Sequence, residues 1–507
     1  MKREPIDLAG LGVLAGAKLA LHLATLPGYG YFRDELYYLA CARHLAWGYV
    51  DHPPLSIALL WVQTALIGDS VAAVHVLPAL AGAACVFLAG LLARELGGGR
   101  GAQRLAALAV FAGPFLLAVS HFYSMNVLEW LLWMALALCF ARILGGGGER
   151  GWLVFGALAG LALLNKLQVV VYAAGLVVGL LFSDQRRQLA RPWLWAGGAL
   201  ALLLFLPHLL WQVENGWPTA DFVATARAEK IHPASPLELF SGQILLLHPL
   251  TAPLWLVGLG ALLAGRALAR FRALGVAWVF TFAVFAIQGA KIYYLIPAAP
   301  PLLAAGAVVL ERWATGRALR WPLPAAGALI GLSALVTLPI TVPLLPSEDV
   351  VTLTHVLGIE EPKTEKRKHG ALPTTFSDMH GWPELVETLG SVWDDLPEAD
   401  RRDAVILTGS YGQAAAVEQL GPARGLPPAI SGHNNYFLWG PAPYRGGTLL
   451  AVGLSREALT PWFDSVEPVA TTSCKWCLPA ENGLPVFLCR HLRQPIDETW
   501  PHLRRFM

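Results

Sequence analysis

Asp34 and Glu35 stand side by side in Gly30-Tyr31-Phe32-Arg33-Asp34-Glu35-Leu36-Tyr37-Tyr38, just past the first long apolar segment. An acidic pair beside a lipid boundary is costly to hold, which marks it as a site for function. Neighbours on a helix point about 100° apart, so the two carboxylates need not share a task. A carboxylate facing a wet cavity serves as a general base toward a hydroxyl; the plainer alternative is a solvated pair bridged to Arg33 or Arg43. The same stretch closes on Asp51-His52-Pro53-Pro54-Leu55. Its prolines bar helix on their N-terminal side, and the expectation is that His52 is presented at the interface rather than buried. There it would bind phosphate, shuttle a proton or cap the interface.

Further polar residues recur next to apolar runs. Asn126 and Glu129 are three apart and so share a helix face, with His121 just upstream. A carboxylate one turn inside an apolar helix must face protein or water, so Glu129 is a substrate contact or a structural partner of His121 or Asn126. Lys166 divides two short apolar runs, and Lys291 precedes Tyr293 and Tyr294. Cations at that depth suit an anionic lipid headgroup such as a phosphate, or simply snorkel to the interface. Cys474, Cys477, Cys489 and His491 have the spacing C-x2-C-x11-C-x-H, which fits one disulfide, a Cys3His zinc site or free thiols. Cys41, Cys85 and Cys139 read as packing residues.

The elements that carry these residues follow from composition. The chain has 507 residues, 55% hydrophobic and 14% charged, with mean hydropathy +0.52. Soluble domains run near about 25% charged, so this is a polytopic α-helical membrane protein. Residues 1–345 hold 23 Lys and Arg against 15 Asp and Glu; residues 346–507 hold 14 against 20. Charge density roughly doubles at Pro346, which predicts a membrane domain over 1–345 and a soluble domain over 346–507. With roughly 20 apolar residues needed per span, about eleven transmembrane helices are expected: 6–26, 71–93, 105–119, 125–141, 152–164, 168–182, 193–211, 244–264, 273–288, 293–310 and 322–344. The segment after Lys2 and Arg3 lacks a small-residue cleavage site and reads as a retained first helix. Alternating the loops puts 16 basic residues on the side of the N terminus and 6 on the other. The positive-inside bias then makes the N terminus cytoplasmic and the C-terminal domain periplasmic or extracellular. Asp34, Glu35, His52, His121, Lys166 and Lys291 fall on the outer side, the first three in an outer loop over 27–70.

Past residue 346 the pattern is a small α/β module. Ala404-Val405-Ile406-Leu407-Thr408 reads as a buried strand, Gly409-Ser410-Tyr411-Gly412 as a turn, and Gln413 to Leu420 as a helix. Residues 448–453 and 485–489 are further strands. The turn lacks the glycine spacing and lysine of a phosphate loop, so no nucleotide site is expected. Ser431-Gly432-His433-Asn434-Asn435-Tyr436-Phe437-Leu438-Trp439-Gly440 suits stacking on a sugar or a packed surface loop.

The segments FRDELYYLACARHLAWGYVDHPPL, HFYSMNVLEWLLW, LLNKLQ, PHLLWQVENGWPTADF and GAKIYYLIPAAPPLLAAGA together resemble glycosyltransferase family 39. Its members include bacterial relatives of protein O-mannosyltransferases and of the lipid A aminoarabinose transferase. The resemblance spans roughly residues 27–310. It implies a GT-C fold and transfer of a sugar from a polyprenyl-phosphate donor at the outer face of the cytoplasmic membrane, usually with inversion. By resemblance Asp34 is the catalytic carboxylate and Glu35 the second member of the pair. No cofactor is then required, although the acidic pair leaves room for a divalent cation. The acceptor is a lipid, a glycan or a protein, and nucleic acid is not a partner. Two positions depart from the aminoarabinose branch: Tyr37 stands where an Arg is expected and His52 where a Lys is expected. Arg33, Lys166 and Lys291 become the cations for the donor phosphate. The rival reading is a lipid or glycolipid transporter or flippase, which would carry repeats and mid-membrane charges.

Overall fold

The computed structural model describes residues 4–442 and 444–507; Lys2 and Arg3, counted among the inner basic residues, lie outside them. Helices form at every expected span, because these runs are apolar, although prolines interrupt several of them. Five are long and apolar enough to cross a membrane: Val71–Glu95, Met125–Leu144, Pro192–Glu214, Arg266–Gln288 and Pro322–Ile340, or seven among the described residues if two bent pairs each count as one span. The expected span 244–264 bends by 99° between Pro236–Leu246 and Pro249–Ala264, and 293–310 bends by 53° between Ile292–Ala298 and Pro300–Gly316. Proline explains both bends, since Pro249 and Pro300 start new helices and cannot continue old ones. The weakest expected division holds as two helices, Gly151–Asn165 and Val169–Leu181, with Lys166 in extended backbone between them. An apolar helix over Leu55–Ile67 lies inside the stretch expected to be an outer loop.

Contacts divide the chain into two compact units. The first takes residues up to Leu26, 75–211 and 232–344. In it Val169–Leu181 packs on Arg272–Gln288, and Ala252–Ala264 on Pro300–Gly316. That second pair touches through glycine: a methyl group at Gly258 would overlap the Leu302 carbonyl oxygen, and one at Gly306 the Leu254 carbonyl oxygen. Small residues let membrane helices approach this closely. Only 17% of the apolar window of Pro192–Glu214 and 11% of that of Pro322–Ile340 is buried within the protein. Helices this apolar with so little protein around them are built to face lipid.

The second unit takes 27–74, 212–231 and 345–507. The stretch expected to be the first outer loop therefore clusters with the C-terminal residues. Their five-stranded sheet comprises β1 (Val405–Thr408), β2 (Ala429–Ser431), β3 (Leu449–Val452), β4 (Phe463–Thr471) and β5 (Pro485–Leu492), in the order β2-β1-β3-β5-β4. β1 runs parallel to β2 and β3; β5 is antiparallel to β3 and β4. All four β1 residues are buried, as a strand covered on both faces requires. β2 is three residues long and β4 is a mostly exposed edge with a register shift at Pro468; neither carries the apolar run that marks the other three. The helix Tyr411–Leu420 follows β1 directly, capped by the Ser410 hydroxyl, which accepts from the Gln413 N–H at 3.3 Å. Because β2 and β3 lie on opposite sides of β1, the carboxyl end of β1 is a topological switch point, where open α/β sheets gather their ligands. The helix Arg33–Arg43 packs on Tyr411–Leu420 at that end.

Candidate functional site

Asp34 opens the helix Arg33–Arg43 with its side chain 35% exposed. The Tyr411 hydroxyl donates to Asp34 Oδ1 at 3.0 Å. Burial, and then the Asp34 carboxylate itself, push the Tyr411 phenol well above its ordinary range, so it stays a donor. Tyr411 is itself placed by His433, whose Nδ1 accepts the Tyr411 backbone N–H at 3.3 Å. Burial holds His433 neutral, at about 3; with Nδ1 accepting, its Nε2–H donates to the Met507 carbonyl at 3.0 Å. The carboxylate is thus aimed by residues that follow β1 and β2.

Glu35 has a different job. It is fully buried, and its Oε2 accepts the Phe32 backbone N–H at 2.7 Å, satisfying a donor at the start of the helix. Arg33 points to Asp378 instead of to open space: Nη2 to Oδ2 is 3.4 Å, and Arg367 shares that oxygen at 3.1 Å. The Asp378 carbonyl also accepts the Arg33 N–H at 3.1 Å and the Trp382 indole N–H at 2.9 Å. Arg33 Nε comes within 3.9 Å of Asp34 Oδ1. Gly412 makes room for this side chain, since a methyl group there would lie 2.7 Å from Arg33 Cγ.

His52 corrects the expectation that it lies at the interface. It is 1% exposed, with Tyr38 and Tyr49 ring centroids at 4.8 and 4.9 Å. The reason is the double proline: His52 Nδ1 meets the Pro53 carbonyl oxygen at 3.0 Å, turning the ring inward. Its Nε2 is 3.9 Å from Asp51 Oδ1. Tyr37, in the position where the resemblance expects Arg, is buried and bonds Asp51 Oδ1 at 3.0 Å and Asn435 Oδ1 at 3.3 Å. Burial raises the Asp51 carboxyl, against the lowering pull of His52 and of the Tyr37 hydroxyl.

A second polar group sits in the first unit. Lys166 Nζ donates to Glu129 Oε2 at 2.7 Å and to Asn126 Oδ1 at 2.9 Å, with all but 4% of the lysine and 2% of the glutamate side chain buried. The ammonium also lies 4.7 Å from the Tyr294 ring centroid and 5.5 Å from that of Tyr293. Lys291 Nζ is 5.9 Å from the Tyr293 centroid. The Met125–Leu144 helix supplies Asn126 and Glu129 from one face, as their spacing predicts, while the break after Asn165 turns Lys166 onto them. Asn165 anchors the break by donating to the Met125 carbonyl at 2.9 Å. Glu129 therefore serves Lys166, and His121 lies apart, 5.0 Å in ring centroid from His75 and 6.0 Å from His22.

Asp378, Tyr411 and His433 were not among the residues singled out for chemistry. The signals for the last two were present in the Gly-Ser-Tyr-Gly and Ser-Gly-His-Asn-Asn segments, but nothing in sequence spacing ties them to Asp34. All six cysteines are free thiols. Cys489 packs in the sheet core with Val405 and Phe487, and among the described residues no three His, Cys, Asp or Glu side chains are arranged to hold a metal ion.

Residues 51–211 match the family model described as dolichyl-phosphate-mannose-protein mannosyltransferase. The stretch takes in His52, His121, Asn126, Glu129 and Lys166 and begins after Asp34. No curated protein matches the chain. Among solved structures, ArnT from Cupriavidus metallidurans bound to undecaprenyl phosphate is similar at 16% identity and a TM-score of 0.59, covering 95% of this chain and 98% of that one. Its apo state gives the same identity and score over 96% and 98%. The archaeal oligosaccharyltransferase AglB from Archaeoglobus fulgidus, in complex with an inhibitory peptide and a dolichol-phosphate, aligns at 14% identity with a TM-score of 0.49, over 81% and 63%. The fold is that of GT-C membrane glycosyltransferases with a C-terminal α/β module.

Proposed function

We propose that this chain is a glycosyltransferase that moves a sugar from a polyprenyl-phosphate donor to an acceptor hydroxyl, with Asp34 as the general base. The observation that carries the proposal is the state of Asp34: one third exposed, held from one side by the Tyr411 hydroxyl, and presented at the first turn of a buried helix. The likeness in fold to an ArnT structure bound to undecaprenyl phosphate supports a lipid-linked donor.

In the proposed reaction Asp34 takes the proton of the acceptor hydroxyl while its oxygen attacks the anomeric carbon. The carbon–phosphate oxygen bond breaks on the opposite face, and the polyprenyl phosphate leaves with the negative charge. Inversion follows from that in-line geometry. Tyr411 keeps one carboxylate oxygen engaged, which leaves the other for the proton. Glu35 holds the helix start. Lys291, half-buried against Tyr293, is proposed as a cation for the donor phosphate, as a cation at a lipid boundary suits an anionic headgroup. The transfer is placed at the outer face of the cytoplasmic membrane, with the N terminus inside, on the strength of the loop charges.

The test is a reconstituted assay. Full-length protein in nanodiscs receives undecaprenyl-phosphate-linked pentoses and hexoses together with an envelope glycolipid extract, and free undecaprenyl phosphate is measured. Acceptor-dependent release of undecaprenyl phosphate from at least one donor is expected; lipid movement between leaflets without release would instead favour a flippase.

A further inference from the structure

Cys474 and Cys477 form the sequence Cys-Lys-Trp-Cys in the surface loop between β4 and β5. The Cys477 backbone N–H donates to Cys474 Sγ at 3.2 Å, and Cys477 Sγ lies 3.6 Å from the Cys474 carbonyl oxygen. The Cys477 side chain beside it is the leading cause that lowers the Cys474 thiol, and Cys474 in turn pushes the Cys477 thiol up. The N–H on the Cys474 sulfur stabilises its thiolate, which is the reactive form. The pair is thus asymmetric, one sulfur ready to attack and its neighbour ready to resolve. Lys475, between them, is 67% exposed. Cys474 and Cys477 are themselves 8% and 6% exposed at the base of that loop, and Cys489 is fully buried in the sheet, where burial raises its thiol to about 12.

The pair leans on the elements that hold Asp34. Gly381, at φ +97°, approaches both sulfurs: a methyl group there would lie 3.3 Å from Cys474 Sγ and 3.4 Å from Cys477 Sγ. Three residues earlier in the same turn, Asp378 holds Arg33. Four residues after Cys477, Glu481 Oε2 accepts from Gln413 Nε2 at 2.8 Å, on the helix that begins with Tyr411.

We infer that Cys474 and Cys477 are a thiol–disulfide exchange site, oxidised by a disulfide R–S–S–R′, whose redox state alters transfer at Asp34. The Cys474 thiolate attacks one sulfur of the oxidant, forming a mixed disulfide and releasing R′–S⁻, which takes up a proton. Cys477 then loses its proton and attacks the Cys474 sulfur, releasing R–S⁻, which is protonated in turn. Two electrons pass from the pair to the oxidant. The effect on transfer rests on the function proposed above; the exchange chemistry does not.

The experiment equilibrates the full-length protein in nanodiscs with mixtures of glutathione and glutathione disulfide, then quenches and maps the cysteines by mass. A reversible disulfide between Cys474 and Cys477 is expected, with Cys489 still a thiol. Cys477→Ser should trap a glutathione adduct on Cys474, and Cys474→Ser should trap little on Cys477. Thiols that persist across the whole range, or adducts formed equally on both cysteines, would overturn the exchange site. In the transfer assay, oxidised and reduced protein should differ about fivefold or more, and the Cys474→Ser/Cys477→Ser double variant should not respond. Equal turnover with the pair shown to be oxidised would overturn its link to Asp34, whereas absence of turnover in both states would count against the transferase alone.

Discussion

At the scale of residues, two carboxylates that look alike in sequence are separated by what their oxygens accept. Glu35 is spent on the Phe32 N–H, and Asp34 keeps one oxygen free of the Tyr411 hydroxyl. A hydrogen bond to a charged group is worth about 1.5–3 kcal/mol, so Tyr411→Phe should lower kcat about tenfold or more while leaving the donor KM near its original value; steady-state kinetics over a donor series checks this, and a change confined to KM would move Tyr411 into donor binding. Lys166 and Glu129 pose the opposite problem, a pair so buried that each exists for the other. Breaking a buried pair leaves an uncompensated charge and costs about 3–5 kcal/mol. Lys166→Met should therefore depress thermal stability sharply, and Lys166→Met with Glu129→Gln should recover much of it. Lys291→Ala should raise the donor KM.

At the scale of elements, the strand β1, its turn and the helix Tyr411–Leu420 were legible in the sequence because a buried apolar run, a Gly-Ser turn and a capped helix each carry their own signal. β2 and β4 were not, being a three-residue strand and a polar edge. Legibility failed for a different reason at His52: the two prolines predict an extended approach, but their carbonyl captures the ring and turns it inward. The glycines of the turn were visible while their purpose was not. Gly412 is there because the Arg33 stem lies against it. Gly412→Ala should then cost about 1–3 kcal/mol through overpacking and lower turnover by shifting Arg33 away from Asp34. Unfolding midpoints and kcat measured side by side check this; an alanine variant with unchanged turnover would separate Arg33 from the chemistry.

At the scale of the whole molecule, membrane character and the approximate positions of the helices follow from composition and apolar run length, because lipid demands both. The number of full crossings does not, since proline bends and short helices break the rule of one run per span. Of the site, Asp34 and the Asn126–Glu129 face could be read from residue type and spacing. Lys166 meeting Glu129, and Tyr411 meeting Asp34, are contacts between residues distant in the chain that no local pattern encodes. The loop charges predict the orientation: a cysteine at exposed Arg456 should react with a membrane-impermeant thiol reagent in intact cells, and one at exposed Arg186 only after permeabilisation. The central claim, that Asp34 takes the acceptor's proton, is tested most directly by Asp34→Asn in the reconstituted transfer assay. A general base contributes about 10²- to 10⁴-fold, so the variant should retain fold and donor binding and lose turnover by about that factor; turnover equal to that of the unaltered protein would contradict the account.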